Sequence, residues 1–253
     1  MIFNDITYSE ISAVKNDVAA FISLLKKMSV EQNRKFKQVD SDFFAFLAKQ
    51  MIFLKNIYIP SGKIHILSVL ISDYYNYILA IIRNEHRYIY LNERSIIENY
   101  IRLILHKMVE DDFNVSQMLS KLKNDFSYVV SDEDFSLLKS EYSISSNYIH
   151  GGSALAESLA FYLEDCIERN EKFKNKSNYY ENVKRILKLN VKLLISRYTD
   201  FIDGVFLRRK SLLRYLLGEL IVEFLFSERQ KSSKILATGR NENLYDNRMI
   251  KAM

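Results

Sequence analysis

A single proline and six glycines in 253 residues leave this chain few residues with which to turn. Strands need frequent turn residues, whereas helices run on until a cap, a glycine or a proline stops them. The expected fold is therefore all-α, a helical bundle, and the apolar residues repeat at helical spacing. Ser9 to Met28 places Ile11, Val14, Val18, Phe21, Ile22 and Leu25 on one stripe. Asp40 or Ser41 is expected to cap a helix carrying Phe43, Phe44, Leu47, Met51 and Leu54, which stops before Pro60-Ser61-Gly62. A long apolar helix follows from Lys63 to His86. Leu91 or Asn92 then opens another that runs through Met108. Shorter helices are expected over Asn114–Phe126 and Asp132–Tyr142, then Ala154–Arg169, Tyr179–Tyr198 and Val205–Phe226. The polar residues 231–253 read as a tail, frayed or ordered only against a partner. This divides the chain into a bundle over 1–170, basic C-terminal helices over 171–230 packed on it, and the tail.

Composition excludes several classes. With 48% hydrophobic and 26% charged residues the chain is globular rather than disordered. Its one cysteine, Cys166, can form neither an internal disulfide nor a cysteine-based zinc site, which fits a reducing compartment. Met1-Ile2-Phe3-Asn4-Asp5 lacks the basic start and apolar run of a signal peptide. The most apolar stretch, Ile64–Ile82, is interrupted by His65, Ser68, Ser72, Asp73 and Asn76, so it reads as a core helix rather than a membrane span. A cytoplasmic protein without membrane contact is expected. The sequence holds no Walker A loop, no G-x-G-x-x-G, no His-Glu-x-x-His and no nucleophile elbow. Asp111-Asp112 and Asp132-Glu133-Asp134 sit at expected helix starts, where acidic residues favour the helix dipole. No metal or other cofactor is expected.

Charge is uneven. Residues 167–253 hold 19 Lys/Arg against 10 Asp/Glu, while the rest of the chain is acidic on balance. Arg208-Arg209-Lys210, with Arg214 one turn on, is the densest cluster and a candidate nucleic-acid contact, since neutralised phosphates release counterions. A solvated helical face has the same composition.

Two segments carry the chemistry. Glu141-Tyr142-Ser143-Ile144-Ser145-Ser146-Asn147-Tyr148-Ile149-His150-Gly151-Gly152 sets one of only four histidines before a glycine pair. Histidine both takes and gives a proton near neutral pH. The alternative is a helix-end residue, with Gly151 supplying a left-handed turn. On the helix expected from Leu91 or Asn92, Arg94, Glu98, Arg102 and His106 recur every four residues, a polar stripe in which Glu98 can bridge to either arginine.

A helix bearing Arg-x3-Glu-x3-Arg (Arg94, Glu98, Arg102), followed by a helix ending Ser-x-x-Tyr-Ile-His-Gly (Ser145, Tyr148, Ile149, His150, Gly151), resembles the HEPN superfamily. The resemblance covers roughly residues 63–169. It implies an all-α, HEPN-like bundle of the kind found in abortive-infection, toxin–antitoxin and other phage-defence systems. It further implies a homodimer cleaving RNA without metal, with RNA and an antitoxin or other protein as possible partners. His150 matches the family's catalytic histidine. The sequence departs from the family at the motif arginine, because Ser143, Ile144 and Ser145 occupy the positions five to seven before His150. Two readings follow. In one, Arg94 or Arg102 reaches His150 from the neighbouring helix, which two core helices packed antiparallel would achieve. In the other, the domain is a non-catalytic binding module.

Overall fold

Helix accounts for every regular element among the described residues, and none of them forms strand. The structure, a computed structural model, describes residues 2–107, 114–150, 158–160, 164 and 176–237, with the side chains of 2–7 and 232–237 left out. Ten helices appear among them. They are α1 (Ile2–Glu31), α2 (Gln38–Tyr58), α3 (His65–Arg83), α4 (His86–Ile104) and α5 (Val115–Asp125), then α6 (Asp132–His150), α7 (Lys176–Arg197), α8 (Thr199–Val205), α9 (Lys210–Leu217) and α10 (Glu219–Ala237).

Helix ends follow local chemistry that the apolar stripes do not report. Asp40 is not the cap of α2 but its third residue, where its carboxylate accepts the Lys37 N–H at 2.9 Å. The Pro60-Ser61-Gly62 turn forms as expected, with Gly62 and Lys63 at φ 75° and 65°. α3 stops at Arg83 instead of His86 because Asn84 adopts the left-handed conformation at φ 59°. The N–H groups of Asn84 and Glu85 then bond back to Ile81 and Ala80. α4 restarts at His86, five or six residues before the opening expected at Leu91 or Asn92, and ends at Ile104, so His106 leaves the helical stripe. Asn114 caps α5 through Gln117 N–H, as its residue type suggests. The stretch expected as one helix over Val205–Phe226 is broken twice, after Val205 and at Gly218. α10 continues to Ala237, well into the stretch expected to fray. The rest of that tail, Gly151-Gly152, Asp111-Asp112 and Cys166 lie outside the described residues, as does most of the helix expected over Ala154–Arg169.

Gly218 has φ 88° and ψ 165°, a region open essentially to glycine alone. A Cβ there would meet nothing within 4 Å. Gly218→Ala should therefore cost about 1–3 kcal/mol through backbone strain alone, read as a lower denaturant midpoint. An unchanged midpoint would contradict that conformation.

One continuous apolar cluster runs from Leu25 of α1 to Leu225 of α10, so α7 to α10 share the core of α1 to α6. α3 and α4 form the most extensive helix pair, and α4 also packs on α6 and α7. α3 is long and apolar enough by length and composition to cross a membrane, and half of that stretch is buried within the fold. Ion pairs and phenol bonds tie the helices together. Phe43 of α2 stacks on Tyr180 of α7 at 3.9 Å, and the Tyr180 hydroxyl donates to Asp40 at 2.8 Å. Tyr198 donates to the Leu103 carbonyl at 2.7 Å, joining α7 to α4. Arg185 of α7 reaches Glu133 and Asp134 in the first turn of α6. Asp73 of α3 accepts Ser95 and Asn99 of α4 at 2.7 and 2.8 Å.

Candidate active site

α4 and α6 run antiparallel. Tyr90 meets Tyr148, Arg94 meets Ser146 and His150, and Glu98 meets Tyr142, so residue numbers climb on one helix as they fall on the other. Tyr142, Ser146 and His150 are four apart, as are Arg94 and Glu98. Two ladders of the same period therefore face each other across the helix pair.

Glu98 is the hub. Its Oε1 accepts Arg94 Nε at 2.8 Å and the Tyr142 hydroxyl at 2.7 Å. Arg94 Nη1 lies 2.7 Å from His150 Nε2 and 3.5 Å from Ser146 Oγ. A guanidinium only donates, so Nε2 is the acceptor in this arrangement and the imidazole proton sits on Nδ1. Burial works against the Arg94 cation, but the bond to Glu98 outweighs it and raises its pKa. Burial, and then the Glu98 carboxylate, push the Tyr142 phenol up, so it stays protonated. Arg94 also lies over the Tyr142 ring, 5.5 Å from its centroid. His150, in the last turn of α6, is exposed.

The structure brings together His150, Arg94 and Glu98. Arg102 sits two turns further along α4 and is half-buried, roughly 12 Å from Arg94 along the helix axis. His106 adopts φ 53°, turns its ring edge-on to Tyr198 at 5.3 Å, and has its pKa lowered by burial and then by Arg197. Among the matched Ser-x-x-Tyr residues, Ser145 is fully buried and Tyr148 packs on Tyr90 at 4.4 Å. It is Ser146, the neighbour of the motif serine, that faces Arg94. A cavity of about 230 Å³ opens beside this cluster, walled by Tyr142 and Ser146 and by Lys139, Ser143 and Asn147.

The basic C-terminal cluster is largely neutralised within the fold. Arg209 pairs with Glu10 and donates to Asn56 Oδ1 at 2.8 Å. Lys210 pairs with buried Asp203, which also holds Arg229 at 2.6 Å, and Arg214 pairs with Glu219. Among the described residues, only Arg208 of the four is both exposed and free of a carboxylate. Among the described residues no group of three His, Cys, Asp or Glu side chains is placed to hold a metal ion.

On the other face of the α4–α6 pair lies a buried carboxyl pair that the residue pattern does not reveal. Glu93 and Glu141 are 5% and 8% exposed. Tyr179 donates to Glu93 at 2.8 Å and accepts from Tyr77 at 2.6 Å, while Asn182 donates to Glu141 at 2.9 Å. Burial, with Glu141 nearby, pushes Glu93 up to about 8 from the ordinary 4.5. Its Oε1 has no hydrogen-bond partner, a place for the proton. The folded protein thus holds this proton more tightly than the unfolded chain. The stability that it adds is complete below about pH 4.5 and is lost as pH rises through about 8. Glu93→Gln should remove that part of the pH dependence, on the order of a few kcal/mol. Melting curves of the two proteins that run parallel from pH 5 to 9 would contradict it.

No protein-family model, no curated protein and no solved structure matches this chain.

Proposed function

We propose that the Arg94–His150 pair is the core of a metal-independent endoribonuclease site on a HEPN-like bundle. The observation that carries the reading is the 2.7 Å contact between Arg94 Nη1 and His150 Nε2, which supplies from α4 the arginine missing before the histidine on α6. Cleavage of RNA by its own 2′-hydroxyl needs a base, an acid for the leaving oxygen and positive charge on the phosphorane oxygens. Arg94 Nη2 is the guanidinium nitrogen not used by Glu98, Ser146 or His150. A substrate phosphate binding there draws the guanidinium from His150 and frees Nε2. Nε2 then takes the 2′-hydroxyl proton as the 2′-oxygen bonds to phosphorus. The 5′-oxygen leaves with a proton from His150 of a second copy, which enters the step as the imidazolium, in the two-fold dimer that the resemblance implies. Glu98 and Tyr142 keep Arg94 charged and aimed, and Arg102 lies too far along α4 to share the phosphate. A role in phage defence or as a toxin, with an antitoxin or other protein partner, rests on the resemblance alone.

A second reading has its own support. Arg94 is bonded on three sides, so the cluster is also a lock that registers α6 on α4. In that case the protein is a non-catalytic binding module. Incubating the purified protein with total RNA in excess chelator tests both: fragments ending in 2′,3′-cyclic phosphate support the nuclease, and intact RNA supports the module.

A further inference from the structure

We infer that the cleft between α7 and the Gly218 elbow binds a small amphipathic anion, a carboxylate or phosphate head on an apolar body. The cleft is about 410 Å³, within the range of ~300–1,000 Å³ typical of small-ligand sites. One wall is the Lys184–Lys192 face of α7 and the other is the turn from α9 into α10. Its two walls differ in chemistry, and that difference defines the ligand.

On the α7 wall, charge is left over. The carboxylates that line the cleft are each engaged: Glu181 with Lys184 at 2.8 Å, Asp134 with Arg185 at 2.6 Å, and Glu219 with Arg214. Lys188 and Lys192, one helical turn apart on the same face, have no carboxylate among the described residues. Lys188 has only a distant ring contact, 6.0 Å from the centroid of Phe46. Like charges at this spacing repel by a few tenths of a kcal/mol, and an anion seated between them reverses the sign of that term. α10 begins at the cleft, so the positive end of its dipole adds to the same field.

The elbow wall is apolar. Leu217 and Ile221 form a floor that is 9% and 5% exposed, joined by Leu189 of α7 at 4%. Leu220 stands at the lip, 77% exposed. An aliphatic or aromatic body lying on this floor would bury Leu220, at roughly 25 cal/mol per Å² of apolar surface removed from water. A bare inorganic anion would use only the lysines, and a nucleic-acid backbone would leave the floor wet. The dual wall therefore points to a ligand with both parts.

The test uses the full chain and calorimetric titration with decanoate, inorganic phosphate and a short single-stranded RNA. Decanoate should bind saturably, and phosphate should bind far more weakly. Both the double variant Lys188→Glu/Lys192→Glu and the single variant Leu220→Asp should weaken decanoate by about tenfold or more, the equivalent of 1.4 kcal/mol. All these side chains are at the surface or half-exposed, and an unchanged circular-dichroism melt verifies that each variant folds. Decanoate affinity untouched by either variant overturns the proposal. So does RNA binding that depends on the two lysines while decanoate fails to bind, which would make the cleft a nucleic-acid contact.

Discussion

Replacing His150 with alanine is expected to lower RNA cleavage by about 10²–10⁴-fold, the usual cost of losing a general acid–base group, and to leave the melting temperature nearly unchanged. The side chain is exposed at the end of α6, and it bonds to Arg94, which keeps Glu98 when the imidazole is gone. Loss of activity without loss of stability is the signature of a group that acts on the transition state. Arg94→Lys separates the roles further. It retains a charge for the phosphate but loses the planar fork that reaches Glu98 and His150 together, so activity should fall while helix content stays constant. If His150→Ala cleaves RNA at the wild-type rate, the nuclease reading fails. If it instead melts several degrees lower with no cleavage in either protein, the α4–α6 cluster is a structural lock.

Lys210→Glu should destabilise the protein by about 3–5 kcal/mol, the range for breaking a buried pair by removing one partner. Asp203 is 4% exposed, and Lys210 and Arg229 are the cations that satisfy it. A glutamate at 210 would put a second negative charge against it. The effect should be seen as a lower urea midpoint, and Lys210→Met, which keeps the stem and loses the charge, should fall between. Arg208→Glu, whose side chain is exposed, should leave the midpoint where it is. Equal midpoints for Lys210→Glu and wild type would mean that Asp203 has no need of its cation. The basic run thus divides into residues spent on the fold and one that faces solvent, a division that charge counting along the chain cannot make.

That division marks the limit of what the residues alone convey. The all-α class was legible because two independent signals agreed, the scarcity of turn residues and the helical spacing of the apolar ones. Helix ends were less so, because they depend on single residues in special conformations: Asn84 and Gly218 end helices through positive φ, not through a lapse in the stripe. α6 runs eight residues beyond its expected end at Tyr142, since Ser145 is buried and Tyr148 packs on Tyr90 of α4 although the local pattern there is weak. At the site, His150, Arg94 and Glu98 were readable from their types and spacing. Tyr142 and Ser146 carry no such signal, although both lie on the same four-residue ladder as His150. Glu93 and Glu141 gave no signal, since a glutamate on a helix ordinarily faces water.

The phenol–carboxylate bonds give the bundle a single alignment of its helices. An apolar stripe tells a helix which side to bury, but sliding by one turn presents nearly the same stripe again. A directional bond does not tolerate that slip. Tyr180 to Asp40 sets α7 against α2, Tyr179 to Glu93 sets α7 against α4, and Tyr142 to Glu98 sets α6 against α4. Each works like a tooth in a rack, and a shift of one turn would take the phenol donor away from buried Asp40 and Glu93 and from half-buried Glu98. Converting all three tyrosines to phenylalanine would preserve helix and hydrophobic burial while removing the teeth. The chain would then remain a bundle in secondary structure but lose its single alignment, and the meeting of Arg94 with His150 would be lost along with it.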